Sequence, residues 1–459
     1  MVDQKLKNLR GDSRRKFLKF ASAAGAALAL DRSKVLDVIA DSGGEAMADE
    51  AACAATNNSI SMVAGNGGFA WFQLLWPHVD VAKAGNNNFA FHAPGQITDA
   101  PDTDKPFVNG PETPWVDLDS TKRITAFMAG SNETHTAQPT SAASVGNSSM
   151  LAAVASMQNA LPSLLPVIGV TPFSFGNAPG APAVTTVGSA EGMVDLFDSS
   201  ASRALLSIED DAATYEAYYK AFLSLNKAAK RPTWAAQARI TKASANFLGK
   251  NLASELRPSA ADETFYGLDG APNNLRDLGL GVITAVKAFR LGLTNSVILP
   301  ALRDDPHGAF GNMGDLQNRI GILGRIFDAL MEDLAATASP HCSGKTLADT
   351  TIITVHGDTP KTPLNRSGWP DGTPNNSNWL YVMGNGYLKT GWFGGIRANG
   401  NTDGFDPATG DTVANQQSNV TTAAAGAAVL FAIAQGDMRR VEDFYNGPSI
   451  AGIVNQQLL

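Results

Sequence analysis

The sequence predicts an α/β protein, a largely parallel sheet with helices on both faces. Three observations carry that prediction. The 459 residues are 44% hydrophobic and only 17% charged, enough apolar material for one large core and too little charge for a disordered chain. Between 276 and 357 helical and extended patterns alternate, as they do where parallel strands are joined by crossover helices. Ile60 to Ala64 forms an apolar strand that runs into the turn Gly65-Asn66-Gly67-Gly68, the entry of an α/β unit.

The elements follow in order. Beyond Pro77, residues 85 to 120 are rich in Asn, Pro, Asp and Gly and read as a long surface loop. "MLAAVASMQNALPSLLPVIGV" gives a helix and then a buried strand ending near Val170; Pro and Gly recurring from 172 to 190 mark a second surface excursion. The stretch from 195 to 260 is helical in pattern, and a helical insertion is expected over about 195–275. Leu280, Ile283 and Phe289 suggest the next helix, "SVILPAL" (296–302) is a strand, and Leu316, Ile320, Leu323, Phe327, Leu330 and Leu334 recur at helical steps of three and four. "TTIITVH" (350–356) and "WLYVMGN" (379–385) are further strands. "TTAAAGAAVLFAIAQGD" (421–437) is apolar but too short to span a bilayer, and reads as a buried helix.

The first residues address the protein. Ser13-Arg14-Arg15-Lys16-Phe17-Leu18-Lys19 sets consecutive arginines before Phe and Leu, and a short Ala-rich apolar run follows from Phe20 to Leu30. A basic region followed by such a run is an export signal, and the paired arginines point to the twin-arginine route, which carries folded proteins. Ala27-Leu28-Ala29 and Ala46-Met47-Ala48 both fit a small-x-small cleavage pattern. The expected division is a leader over 1–48 and one α/β domain over 49–459, with a periplasmic or extracellular destination and the twin-arginine export machinery as a transient partner. Cys53 and Cys342 are the only cysteines, so at most one bridge forms.

The net charge of -8, with no basic stripe outside the leader and the short "KAAKR" run at 227–231, argues against a nucleic-acid partner. Chemistry is expected at strand ends, because parallel sheets carry their sites at the carboxyl ends of their strands. "LRDDPHGAFGN" puts Asp304, Asp305 and His307 after one strand, and "VHGDTPKTP" puts His356 and Asp358 at the end of another. Carboxylate and imidazole donors converging from neighbouring strands suit a divalent cation such as zinc, manganese or calcium. Two readings stand side by side: a metal set of Asp305, His307, His356 and Asp358, or an Asp305 that caps a turn and a His356 hydrogen-bonded at the sheet rim. His78 and His92 read as structural, and His341-Cys342 as a surface pair. No Gly-x-Ser-x-Gly elbow, phosphate-cradling loop with Lys or His-Glu-x-x-His helix is present, and "GNGG" alone does not make a dinucleotide site.

The order of pieces resembles the exported bacterial family called domain of unknown function fifteen-oh-one, distant relatives of alkaline phosphatases and sulfatases. The resemblance runs from about Ile60 to Val454 and rests on the leader, "MVAGNGGFAWFQLLWPHVD", "NETHTAQ", "LRDDPHGAFGN", "LADTTIITVHGDTPKTP" and "WLYVMGNGYLKTGWFGG". It implies an alkaline-phosphatase-like sheet. His135 and Gln138 match a family His and Gln, and Asp305, Pro306 and His307 match Asp-Thr-His. Three positions depart: Phe69-Ala70-Trp71 replaces an acidic residue, the His356-Gly357-Asp358 and Lys361 region replaces a Glu and an Arg, and Ser377-Asn378 replaces an Asp-His. Hydrolysis of this type needs an ion to polarise the ester, so lost ligands threaten the mechanism. The resulting expectation is a degenerate, non-hydrolytic binding or structural protein of the cell envelope, with an envelope partner or a small anionic ligand. The alternative is a metal-dependent phosphate or sulfate ester hydrolase. There the four ligands hold the metal, His135 or Lys361 stabilises the anion, and Thr359 or Thr362 is nearest to a nucleophile.

Overall fold

The computed structural model describes residues 53–68, 75–80, 98–99, 103–105, 108–109, 123–133, 135–159, 161, 163–198, 251–303, 313–357, 376–384 and 386–455. The chain divides into two compact units. One comprises Ala48–Leu196 and Glu255–Leu459; the other comprises Met1–Met47 and Phe197–Ser254 and falls almost wholly outside the described residues, as does most of the expected helical insertion.

The strands are β1 Asn58–Ala64, β2 Thr98–Asp99, β3 Val108–Asn109, β4 Arg123–Met128, β5 Ser144–Val145, β6 Ser148–Ser149, β7 Val167–Val170 and β8 Val184–Val187, then β9 Ser296–Pro300, β10 Thr351–Gly357, β11 Trp379–Gly384, β12 Gly391–Phe393, β13 Gly395–Ile396, β14 Thr402–Phe405 and β15 Thr412–Val413. The helices are α1 Met150–Gln158, α2 Ala190–Asp195, α3 Ala253–Leu256, α4 Ala260–Phe265, α5 Asn273–Arg290, α6 Met313–Ala336, α7 Ser418–Ile433 and α8 Met438–Val441.

Eight strands form the main sheet in the order β12-β4-β11-β10-β1-β9-β7-β8. Only β11 runs against the rest, so the sheet is largely parallel, as its alternating pattern predicts. β1 and β10 sit at its centre and are buried along their whole length, with the polar Ser59, Ser61, Thr354 and His356 buried among their apolar residues. The strand β8 lies where the sequence suggests only a surface excursion over 172–190. Its four residues, Val-Thr-Thr-Val, pair with β7 at the sheet edge and are partly exposed, so neither length nor apolarity marks them out.

Each face is covered. On one, α1 and α7 pack against Val63, Phe127, Ile352, Leu380 and Val382. Small residues let α7 approach closely; a Cβ on Gly426 would lie 2.4 Å from the Ser144 carbonyl oxygen. On the other face α5 lies against Leu299, and Phe327 of α6 meets Trp76 edge-on at 5.2 Å. Trp76 is the hub of an aromatic cluster: its carbonyl accepts from the Tyr381 hydroxyl at 3.1 Å and the Trp392 indole at 3.3 Å. The side chain of His78 belongs to this cluster, with its ring 5.2 Å from that of Trp392 and its Nδ1 accepting from the Asp80 amide, a structural role as expected. Burial pushes its pKa down to about 4, opposed by the Asp80 carboxylate and the Gly394 carbonyl. No helix among the described residues is long and apolar enough to cross a membrane.

At the amino edge of the sheet Cys53 and Cys342 form a disulfide. The expectation that His341-Cys342 is a surface pair is therefore corrected: Cys342 is bridged and buried, and burial holds the neighbouring His341 imidazole below its ordinary pKa.

Candidate functional site at the carboxyl edge of the sheet

Parallel strands deliver their carboxyl ends to one edge, and register shows which loops meet there. Val63 of β1 pairs with Pro300 of β9 and with His356 of β10; His356 pairs with Leu380, and Trp379 with Met128 of β4. The carboxyl ends of β1, β4, β9 and β10 and the start of β11 therefore lie along one edge. The segments next to these ends carry the predicted residues. His135 and His356 are described at this edge; Asp305, His307, Asp358, Thr359, Lys361 and Thr362 lie outside the described residues.

Gly65 and Gly68 of the turn after β1 leave no room for a Cβ. Asn66 and Gly67 hold left-handed φ values of 57° and 77°, and the Asn66 amide donates to the Thr136 carbonyl at 2.7 Å. A Cβ on Gly65 would stand 2.8 Å from the Ala137 carbonyl oxygen, and one on Gly68 2.5 Å from that of Leu302. The turn is thus clasped between the loop after β4 and the segment after β9. Gly65→Ala is expected to lower stability by about 1–3 kcal/mol, the usual cost of overpacking against backbone, seen as a reduced urea midpoint at unchanged slope.

The loop after β4 is shaped by its own polar groups. The Glu133 carboxylate accepts from the Thr140 amide at 2.8 Å and 2.9 Å, from the Thr140 hydroxyl at 2.9 Å and from the Ser141 amide at 2.7 Å. Ser141 Oγ accepts from the Ser131 amide at 2.6 Å. His135 sits in this loop, half-buried with φ at 55°, and Gln138 is exposed. Glu133→Ala removes every acceptor of that clamp. Amide exchange at Thr140 and Ser141 is expected to speed up by roughly tenfold or more while the global unfolding midpoint moves little, because the loop opens without the core.

His356 is the predicted metal ligand that the structure describes. It is fully buried, between Val63 and Leu380 in the sheet. Neither ring nitrogen has a hydrogen-bond partner. Burial drives its pKa down to about 4; the Pro139 carbonyl opposes part of that shift without reaching hydrogen-bond geometry. The rim hydrogen bond considered for His356 from sequence is therefore not made. A dication needs anionic or dipolar donors to offset its desolvation. Among the described residues no group of three His, Cys, Asp or Glu side chains lies close enough to hold a metal ion. The described part of the site does not fit one.

Opposite His356, the segment before β11 is a brace. Asn376, Ser377 and Asn378 are all buried. The Asn378 amide group donates to the Gly357 carbonyl at 2.8 Å, and its side-chain oxygen accepts from the Trp379 amide at 2.9 Å. Its main chain joins β4, accepting from the Ala129 amide. Asn376, with φ at 60°, donates to the Gln416 carbonyl and accepts from the Thr421 hydroxyl of α7. Both ends of the Asn378 side chain are consumed in closing the end of β10 onto the start of β11. Sequence reasoning marked this position only as a departure from a family pattern; the run Asn-Asn-Ser-Asn directly before an apolar strand is the signal that could have suggested a brace. The Glu133 clamp had no such signal, since a lone Glu in a polar stretch reads as solvated.

Searched against protein-family models, characterised proteins and solved structures, the chain matches none of them.

Proposed function

We propose that this chain is an exported cell-envelope protein on an alkaline-phosphatase-like fold that has exchanged ester hydrolysis for a binding or structural role. The twin-arginine leader gives the address. A Cys53–Cys342 disulfide suits an oxidising compartment beyond the cytoplasm, where such bonds persist. The largely parallel sheet, with the candidate loops at its carboxyl edge, is the architecture the family resemblance implies.

One observation carries the non-hydrolytic reading: Asn378, which stands where the resemblance places an Asp-His, spends both polar ends on the backbone of Gly357 and Trp379.

The second reading, a metal-dependent phosphate or sulfate ester hydrolase using Asp305, His307, His356 and Asp358, is favoured by one fact, the two unpartnered nitrogens of His356. Turnover decides between them. The mature protein, assayed on aryl phosphate and aryl sulfate with zinc, manganese or calcium added, is expected to release no phenol above buffer. Ion-dependent turnover abolished by His356→Ala would establish the hydrolase.

A further inference from the structure

We propose that the Cys53–Cys342 bridge is a lock closed after folding rather than a scaffold that folding needs, with Cys53 the attacking thiol and Cys342 the resolving one. Contacts that do not involve sulfur already fix both sides of it. The Ala54 amide donates to the His341 carbonyl at 3.1 Å, and the Ala54 carbonyl accepts from the Gln435 side chain at 2.9 Å. Arg440 donates to the Ala55 carbonyl at 2.8 Å. Asn57, fully buried, is bonded at every polar group: its amide to Ile433, its side chain to Ala432 and Gln435, and its carbonyl to Gln158. On the other side, Cys342 lies in a hairpin closed by the Ala338–Thr346 bridge and by the Ser339-to-Lys345 and Leu347-to-Thr337 hydrogen bonds. The segment from 54 onward then enters β1, the central strand, so its position is set by the core.

The two cysteines differ in access. Cys53 is exposed and Cys342 is 5% exposed. The Cys53 thiolate therefore attacks a sulfur of an incoming disulfide, either a small one such as glutathione disulfide or that of a thiol oxidoreductase, and releases one donor thiolate. The Cys342 thiolate then attacks the Cys53 sulfur of the mixed disulfide and expels the second. Two protons leave the protein's thiols and two electrons finish on the donor. Closure outside the cytoplasm, after passage in the folded reduced form, rests on the export reading above.

The test uses the mature protein, reduced with a phosphine, and three variants: C53S, C342S and the double serine. The reduced protein and the double variant should keep the near-ultraviolet dichroism of the oxidised form and unfold cooperatively at a lower Tm. With glutathione disulfide, folded C342S, which retains Cys53, should form the mixed disulfide roughly tenfold or more faster than C53S, as access dictates. Loss of the tertiary signal on reduction, or faster reaction of C53S, would overturn the proposal. A double variant that folds but is not exported from its full-length precursor would count against the export reading and leave the lock standing.

Discussion

His356→Phe should flatten the acid sensitivity of this protein, with the variant gaining about 2 kcal/mol over the natural chain at pH 5 relative to their difference at pH 8. The sign follows from linkage. The folded-state pKa, about 4, lies below the ordinary value of 6.5, so the unfolded chain binds the proton more readily. The contribution of this histidine is intact above pH 6.5 and is lost as pH falls towards 4. His78, depressed to a similar value by burial on the opposite face, contributes a second loss over the same window, so the variant retains about half of the effect. At pH 8 the substitution removes two unsatisfied nitrogens, worth about 1–3 kcal/mol, against a comparable cost for fitting the larger ring. His356→Leu separates volume from polarity. Urea midpoints at the two pH values provide the measurement; a His356→Phe variant strongly destabilised at pH 8 would mean that the imidazole has a partner the protein needs.

Asn378→Ala should cost about 2–4 kcal/mol, because it strips hydrogen bonds from two buried backbone groups at once, the Gly357 carbonyl and the Trp379 amide. Asn378→Asp is the sharper variant. Its carboxylate still accepts from the Trp379 amide but sets a negative charge against the Gly357 carbonyl, so it should be at least as destabilising as alanine at pH 8 and recover as pH falls and the carboxyl protonates. If Asn378→Asp is instead tolerated at pH 8 and gains affinity for zinc, the position is still a ligand position and the brace is secondary.

The fold was legible where sequence pattern and burial coincide. β9 and β11 are apolar runs, β1 and β10 carry apolar stretches at Met62–Ala64 and Ile352–Ile353, and α6 shows its face at steps of three and four because Leu316, Ile320, Leu323, Phe327, Leu330 and Leu334 are all buried in the core. The buried α7 was legible for the same reason. β4 escaped notice because its six residues, Arg-Ile-Thr-Ala-Phe-Met, follow a loop rich in turn residues, and β8 because a four-residue edge strand buries too little to need apolarity. At the site, strand polarity sends the carboxyl ends of β1, β4, β9 and β10 to one edge, and most of the side chains predicted there lie outside the described residues. Side-chain state was beyond the sequence. That His356 is buried without a partner, and that Asn378 bonds the backbone at both ends, depends on which atoms the register of β10 and β11 brings opposite them, and residue type does not encode that.

The proposed non-hydrolytic reading holds that the Asn378 side chain, not a bound cation, closes the end of β10 onto β11. Metal content tests it most directly: the mature protein, purified without chelators from cells supplied with zinc and manganese and then dialysed, should carry far less than one divalent ion per chain by mass spectrometry. One tightly held ion per chain, retained through dialysis and lost in His356→Ala, would contradict the account.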